Sequence, residues 1–321
     1  MTTLAIIGGG IAGRSLIYAL AKQEKTFSEI LLFDSDAFAH SCSLRSTAIV
    51  APRGVSSGHS DLGDLIFAAF KTFSVHVEKD SPAGVFPITQ YTGALTKLDQ
   101  FRGRYPNGKV LKSVNPFSFK NQLYLATESA YLIDPKIYLD WLLKDSQIKL
   151  VQDYVTHIND QIIKTQNGHE YKFDHVVFAG GVYNQFFDFK TKSKSVQGSY
   201  FEFYNVDYGS DSFSLTLEGD NLIFHAHSKK LLMGSTSMEA FHELPPLSEL
   251  KDIYHRLSSQ IDLKLPSIDE GTVMVGLREK SPKRTPYVVT EGNQSRIGGF
   301  YKNGYSLGLH LGMKLASELK A

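Results

Sequence analysis

The chain has 321 residues, of which 42% are hydrophobic and 21% charged, and its 34 basic residues almost balance its 33 acidic ones. This composition excludes an intrinsically disordered chain, and the formal charge of +1 gives little support to a nucleic-acid binder. The single cysteine, Cys42, excludes an intramolecular disulfide and a site built from several thiolates. Because neither a long apolar run nor a signal peptide is evident, we expect a soluble cytoplasmic protein of about two domains.

The start of the chain predicts a βαβ unit. Residues 3–7 form a short apolar run typical of a buried strand, and residues 11–23 carry apolar side chains at helical spacing. Residues 29–33 predict a second buried strand. Later segments are expected to return to this framework, with strands at 150–158, at 174–181 and from 296, followed by a turn at Asn303-Gly304 and a terminal helix.

The middle of the chain predicts an antiparallel sheet, because segments rich in β-branched and aromatic residues alternate with turn residues. These strands are expected at 85–96, 122–126, 196–206, 212–218, 221–227 and 230–236. Helices are expected at 135–145, after Asp134 as N-cap, and at 247–260. The predicted fold class is α/β, with a Rossmann-like domain of discontinuous segments (1–84, 134–190 and 271–321) and an antiparallel-sheet domain (85–133 and 191–270) that would bind a substrate.

A glycine-rich turn, Gly8-Gly9-Gly10-Ile11-Ala12-Gly13, joins the first strand to the first helix. In such a turn the first glycine permits the tight bend, the second lets a pyrophosphate approach the backbone, and the third lets the helix pack closely. The helix N-terminus offers amide groups and partial positive charge to phosphates. Asp34, after the second strand, can bind ribose hydroxyls and would repel the 2′-phosphate of NADP. These features predict a dinucleotide site without separating FAD from NAD.

Four stretches, in order along the chain, resemble the D-amino-acid oxidase family of flavoproteins, and the glycine oxidase-like proteins are the nearest group. They are 6–13 with Asp34-Ser35, Ser43 to Pro52, Gly276-Leu277-Arg278 with Thr285-Pro286-Tyr287, and 300–305. Shorter similarities occur at 176–181 and 232–236. The resemblance implies that FAD is the cofactor and that the Rossmann-like domain binds it.

The resemblance also implies positions for the cofactor contacts. The pyrophosphate would contact Gly8, Gly10, Ile11 and Ala12, and the adenosine ribose would contact Asp34 and Ser35. The adenine would contact Val155. The flavin half would lie along Ser41, Cys42, Ser46, Thr47 and Ala48. Gly180 would also contact the cofactor, and the pyrimidine side of the flavin would be covered by Phe300, Tyr301, Lys302, Asn303, Gly304, Tyr305 and Ser306. Since Asn303-Gly304 opens the terminal helix, its positive end would stabilise the anionic reduced flavin.

Two basic residues are the candidate catalytic residues. Arg278 matches the family position that binds the substrate carboxylate, for which a guanidinium is suited; the alternative is a surface arginine paired with Glu279. Lys302 stands where glycine oxidase has a second active-site arginine. The family usually has proline where this chain has Glu279, and prefers alanine where it has Leu44-Arg45. Arg45 therefore has no assigned role, and the family's substrate-binding tyrosine falls near Phe224 or His225 without a firm match.

The resemblance implies oxidation of a C–N bond in a small amine or amino acid, by hydride transfer to the flavin with oxygen as acceptor and no essential general base. Two alternatives stay open: oxidation of an aminomethyl group on a modified tRNA base, and a flavin-binding protein without turnover. The expected partner is a small-molecule amine, with neither membrane nor nucleic acid expected, and the oligomeric state is left open. The pair His225-x-His227 lacks a clear third ligand, so no metal site is expected, and Cys42 matches no motif for flavin attachment.

Overall fold

A computed structural model describes residues 2–25, 27–35, 41–52, 55, 58, 60–187, 192–240 and 242–320. The α-helices in these ranges are α1 (Ile11–Lys22), α2 (Asp61–Asp80), α3 (Leu98–Arg104), α4 (Pro135–Trp141), α5 (Leu247–Gln260) and α6 (Gly304–Glu318). None of the helices described is both long enough and apolar enough to cross a membrane.

The strands fall into three sheets. In chain order they are β1 (Thr3–Ile7), β2 (Glu29–Phe33), β3 (Ile49–Val50), β4 (Val85–Ala94), β5 (Lys109–Val114), β6 (Phe117–Ile133), β7 (Lys149–Val151), β8 (Val155–Asn159), β9 (Ile162–Thr165), β10 (Glu170–Lys172), β11 (His175–Phe178), β12 (Lys194–Phe203), β13 (Phe213–Leu217), β14 (Asp220–His225), β15 (Lys230–Gly234), β16 (Met238–Glu239), β17 (Ile261–Asp262), β18 (Thr272–Lys280), β19 (Tyr287–Glu291) and β20 (Gln294–Gly298).

The first sheet has the order β19-β20-β11-β1-β2-β7 and is parallel except at its edge strand β19. Both of its faces are covered, which explains the unbroken apolar runs in its strands. On one face Leu4 and Ile6 pack with α1 and α6. On the other face Ala5 and Ile7 belong to a core cluster with the three-stranded sheet β10-β9-β8. This architecture confirms the predicted α/β class.

The second large sheet has the order β16-β12-β15-β14-β13-β4-β6-β17, with β18 beside β12 and with β3 and β5 beside β6. It is antiparallel except where β4 runs parallel to β13. One face packs its apolar side chains, such as Leu215 and Leu222, against Leu250 and Ile253 of α5. The opposite face carries a small apolar cluster with Ile223 and Leu232, and also polar side chains, such as Thr216 and Asn221, that line a cavity. Because β3 and β18 join this sheet, two segments assigned to the Rossmann-like domain also build the other one, and the domain boundaries stay a prediction.

Several elements differ from the sequence prediction. The single strand expected over 150–158 is wrong: the chain turns between β7 and β8, where the Asp153 carboxylate accepts hydrogen bonds from the backbone amides of Tyr154 and Asn167. The strand expected at 122–126 is part of the much longer β6. The 20-residue helix α2 was not predicted, because its buried positions include Gly63 and His76, which weaken the apolar periodicity.

A buried polar network ties α1 to α2. Asp80 accepts a 2.6 Å hydrogen bond from the Tyr18 hydroxyl and lies 3.1 Å from His76 Nδ1, and it also pairs with Lys22. Burial by itself would raise the pKa of Asp80, but the bonds from Lys22, Tyr18 and His76 outweigh it and lower the pKa to about 2. The network therefore fixes the helix that follows the glycine turn, and it needs an ionised Asp80.

We expect Asp80→Asn to lower the free energy of unfolding by about 1–2 kcal/mol near neutral pH. A carboxyl whose pKa is lower in the folded state stabilises the fold above its unfolded pKa near 3.8 and loses this contribution as the pH falls toward 2. The difference between wild type and variant should therefore shrink below about pH 4. Urea unfolding at several pH values measures this difference in the free energy of unfolding. Asp145→Asn, at an exposed position, is the control and should show no such difference. A pH-independent difference would contradict this role.

Candidate active site

A cavity of about 880 Å³ lies between the parallel sheet and the polar face of the large sheet. The residues that follow the carboxyl ends of the parallel strands line it: Gly8 after β1, Asp34 after β2, Asp153 after β7, Gly180 after β11 and Gly299 after β20. Ligands of open α/β sheets bind at this edge, where the strand order reverses. The cavity is therefore placed where a dinucleotide would bind.

The glycine turn brings the backbone to the cavity wall in a form that only glycine permits. Gly8 has φ +110°, and a Cβ there would lie 2.6 Å from the main-chain oxygen of Ala179. A Cβ on Gly13 would lie 2.1 Å from the oxygen of Gly8. At Gly10, by contrast, a Cβ would meet only side-chain atoms, with the Oγ of Ser43 at 3.1 Å. The first and third glycines thus serve the fold, and the second keeps space open on the cavity side.

Three side chains hold this turn in place. Asp34 Oδ2 accepts a 2.9 Å hydrogen bond from the backbone amide of Gly9. Arg14, which is buried, donates from Nε to the Gly9 oxygen at 2.9 Å and from Nη1 to Asp140 at 3.0 Å. The amide of Ile11, predicted to face the pyrophosphate, donates to Ser43 Oγ at 3.0 Å. Ala12, in the first turn of α1, has no intrahelical acceptor for its amide and lines the cavity.

Most of the residues singled out by the sequence come together around this cavity. Those that line it are Gly8, Gly10, Ile11, Ala12, Asp34, Ser35, Ser41, Cys42, Ser46, Thr47, Ala48, Val155, Gly180, Arg278, Phe300, Tyr301, Lys302, Gly304 and Tyr305. Asn303 and Ser306 do not line it: Asn303 occupies the N-cap position of α6 without a side-chain capping bond, and the Ser306 hydroxyl donates to the Asn303 oxygen at 3.3 Å. Helix α6 begins at Gly304, as predicted, so its N-terminus lies at the cavity.

The segment 41–48 lies against β18. A Cβ on Gly276 would be 3.0 Å from the sulfur of Cys42, so glycine is needed for this close approach. Burial raises the pKa of the Cys42 thiol, although the nearby charges of Arg278 and Arg45 favour the thiolate. Arg45, which had no assigned role, pairs with Glu243 at 2.9 Å and lines the cavity. The segment is thus fixed between the two halves of the molecule.

Arg278 projects from β18 onto the polar face of the large sheet. Its guanidinium lies directly over Gly198 of β12, where a Cβ would be 2.0 Å from Nη2. Its Nη1 is buried and has no hydrogen-bond partner among the described residues. A buried guanidinium nitrogen without a partner is costly unless a ligand binds it. Arg278 therefore has the geometry of a ligand-binding group.

The alternative pairing of Arg278 with Glu279 is not found. The side chain of Glu279 is buried and accepts hydrogen bonds from the Tyr287 hydroxyl at 2.6 Å and from the amide of Gly299 at 2.8 Å. Burial raises the pKa of Glu279, although the bonds from Tyr287 and Gly299 oppose this effect. Glu279 thus fixes the loop after β20, which leads to the residues expected at the flavin.

Basic residues make this end of the cavity electropositive. The Tyr301 hydroxyl lies 3.0 Å from Ser237 Oγ. Burial would raise the pKa of Tyr301, but the bond to Ser237 and the charges of Lys302, Arg278 and Arg284 together lower it. Since the same charges would favour any other anion there, this end of the cavity is suited to a carboxylate.

The histidine pair and the unplaced aromatic position lie away from this cavity. Phe224 is fully buried in the core cluster of the large sheet. His225 is buried, which lowers its pKa to about 4, and His227 stacks on Phe86 at 4.1 Å between ring centroids. Among the described residues, no group of three or more histidine, cysteine or acidic side chains could hold a metal ion.

Comparison with known families identifies the protein class. Residues 3–318 match the DAO family, described as FAD-dependent oxidoreductases. The chain belongs to this family. The oxidoreductase therefore uses FAD, as the sequence predicted, and the glycine cradle, Asp34 and the cavity at the sheet edge fit that cofactor. No curated protein sequence matches the chain.

Solved structures share the fold of this oxidoreductase at low sequence identity. Iminodiacetate oxidase from Chelativorans sp. BNC1 superposes with a TM-score of 0.78 at 16% identity, over 98% of this chain and 94% of that one. Glycine oxidase from Bacillus cereus ATCC 14579 gives 0.77 at 18% identity, over 99% and 96%. L-α-glycerophosphate oxidase from Mycoplasma pneumoniae, solved with FAD bound, gives 0.79 at 13% identity, over 100% and 96%.

Sequence reasoning missed several residues at the site. Gly198 makes room for the Arg278 guanidinium, and Arg14 and Ser43 bind the glycine turn. An isolated glycine within a strand often marks a close approach, so the segment Val196-Gln197-Gly198 carried a usable signal. Arg14 carried none, because an arginine in an amphipathic helix is usually a surface residue.

Proposed function

We propose that this oxidoreductase oxidises the C–N bond of a small amine that carries a carboxylate. The observation that supports it best is the Arg278 guanidinium, which is held over Gly198 with a buried nitrogen that no described residue binds. An arginine fork binds a carboxylate by two parallel hydrogen bonds. The positive charges around Tyr301 favour the same anion. The protein would be a soluble, cytoplasmic enzyme with a small-molecule substrate.

Each proposed residue has a limited task. Bound FAD supplies the hydride acceptor, and oxygen would accept the electrons afterwards. Arg278 and Lys302 hold the carboxylate, which orients the carbon next to nitrogen for reaction. The N-terminus of α6 directs partial positive charge toward the cavity at Gly304. Glu279 does not touch the substrate but fixes the backbone at Gly299. No residue is required as a general base.

Anaerobic mixing of the purified yellow protein with candidate amines tests this function. Glycine, sarcosine, proline and D-amino acids should be compared with α-hydroxy acids and glycerol 3-phosphate of similar size. We expect at least one amine to bleach the flavin and the oxygen analogues to leave it oxidised, because the site is proposed to act on a C–N bond. Admission of oxygen should then restore the colour and produce peroxide.

Three results would contradict the proposal in different ways. Bleaching by dithionite but by no amine would favour a flavin-binding protein without turnover. Bleaching only by an aminomethylated wobble uridine in tRNA would favour the nucleic-acid substrate. Bleaching by the hydroxy compounds alone would place the chemistry at a C–O bond.

A further inference from the structure

The cavity has a second polar region, which we call the amide floor and define by Gln90, Thr216 and Asn221. These residues belong to β4, β13 and β14, and all three line the cavity. Gln90 Nε2 donates to the Tyr91 backbone oxygen at 2.8 Å and to Thr216 Oγ1 at 3.1 Å. Thr216 Oγ1 donates in turn to Asn221 Oδ1 at 2.8 Å. Gln90 is only 4% exposed, so the floor is a fixed part of the fold.

The hydrogen-bond network sets the orientation of both amides. A backbone oxygen only accepts, so the Gln90 atom that faces Tyr91 must be the NH₂ group. Both hydrogens of that group are then used, and Oε1 is left as an acceptor. Thr216 Oγ1 accepts from Gln90 and donates its proton to Asn221, with the Asn221 amide oxygen facing Thr216. Asn221 therefore keeps its NH₂ group as a donor.

The remaining acceptor of Gln90 and donor of Asn221 have little to bind among the described residues. Asn221 Nδ2 makes one long contact, 3.4 Å to the Gly219 oxygen. Within the described ranges, nothing bonds to Gln90 Oε1 or to the hydroxyl of neighbouring Thr92, which also lines the cavity. The floor thus offers one acceptor, one hydroxyl and one donor, all uncharged. A ligand that leaves such groups unpaired loses affinity.

The strand register places the amide floor within reach of a molecule held by Arg278. The Arg278 guanidinium lies over Gly198, and Asn221 pairs with Gly234, which pairs with Tyr200. Gly198 and Asn221 are thus separated by two strand spacings across the sheet and two residues along it, which is roughly 12 Å. After a hydrogen bond of about 3 Å at each end is subtracted, about 6 Å is left, which an extended substrate of about six heavy atoms spans.

We propose that the substrate carries, beyond its carboxylate and amine, a neutral group that both donates and accepts hydrogen bonds, such as a hydroxyl or carboxamide, and that Gln90 and Asn221 select it. A hydroxyl can donate to Gln90 Oε1 and accept from Asn221 Nδ2. An alkyl group of the same size would leave both atoms unpaired, and a second carboxylate could not donate to Gln90. This inference rests on the proposed function, because the carboxylate at Arg278 fixes the other end of the substrate.

A binding experiment on the oxidised holoenzyme tests the inference without turnover. Spectral titration of the flavin compares 5-hydroxypentanoate with hexanoate, and 4-hydroxybutanoate with pentanoate. We expect the hydroxy acid of at least one pair to bind about tenfold more tightly. Asn221→Leu and Gln90→Met should each abolish this preference while hexanoate binding is kept. Asn159→Leu, an exposed position on β8, is the matched control and should keep the preference.

Several outcomes would overturn the inference. Equal binding within both pairs, tighter binding of the alkyl acids, or a preference that persists in both floor variants would each do so. Absence of any spectral change with all four acids would also count against it. Because the titration needs no oxidation, hydroxyl preference with no amine bleaching would keep the amide floor and remove the proposed reaction. Amine bleaching without hydroxyl preference would keep the proposed reaction and remove the amide floor.

Discussion

Arg278→Ala is expected to give a protein that stays yellow but is reduced by its amine substrate about 10²–10³-fold less efficiently, since removal of one partner of a buried, hydrogen-bonded charge pair costs about 2–5 kcal/mol. The flavin should remain because the atoms expected to bind its pyrophosphate lie at the glycine turn, on the other side of the cavity. Arg278→Lys should recover part of the loss, since a lysine keeps the charge without the fork. Anaerobic stopped-flow reduction measures the effect.

Two further variants separate a substrate contact from a general loss of structure. Arg102→Ala removes an arginine from the exposed helix α3 and should be reduced at the wild-type rate. Gly198→Val keeps the arginine at position 278 but displaces its guanidinium, because the valine side chain takes the space in which that group lies. This variant should therefore reproduce most of the Arg278→Ala defect. A colourless but folded Arg278→Ala protein, or a fully active Gly198→Val protein, would show that Arg278 has another role.

The parts of the fold that the sequence predicted are those encoded locally. The strand, glycine turn, helix and Asp34 lie within one βαβ unit, so their spacing alone indicates the geometry that the structure has. The terminal helix was likewise predicted from a local signal, the turn at Asn303-Gly304, and it does begin at Gly304. Local patterns were thus sufficient to identify the nucleotide-binding half, whereas FAD was implied by the family resemblance.

The parts that were not predicted depend on contacts between distant segments. Gln90 and Thr216 are adjacent only because β4 pairs with β13, and no local pattern in either strand specifies that register. The position of Arg278 over Gly198 depends likewise on the pairing of β12 with β18. The residues proposed to recognise the substrate come from such pairings, and this is why the sequence left the substrate open while the family resemblance indicated the cofactor.

The same pairings link segments that the sequence assigns to different domains. Strand β18 ends at the Arg278 segment, and the chain then returns through β19 and β20 to the parallel sheet. Glu279, the residue after Arg278, binds the amide of Gly299 that follows β20. One short segment therefore connects the proposed carboxylate site to the loop expected at the flavin, and the predicted boundary at 271 separates this segment from β12, with which β18 pairs.

Gly10→Val is expected to give a folded but colourless protein. A Cβ on Gly10 would meet only the hydroxyl oxygens of Ser43 and Ser41. Their displacement costs the hydrogen bond from the Ile11 amide to Ser43 but moves no backbone atom, so the fold should tolerate the change. The added side chain would occupy the space through which a pyrophosphate reaches the turn. We expect FAD affinity to fall at least about a hundredfold, equivalent to roughly 3 kcal/mol.

The neighbouring glycines supply the comparison. Gly13→Val should prevent folding, because its Cβ would lie 2.1 Å from the main-chain oxygen of Gly8, which cannot move without breaking the turn. Gly103→Val, with open space around its Cβ, is the matched control and should bind FAD normally. The flavin-to-protein ratio after reconstitution, with circular dichroism to verify folding, distinguishes the three. If Gly10→Val retained stoichiometric FAD, the pyrophosphate could not lie against the turn, and the placement of the cofactor along the cavity would have to be reversed or abandoned.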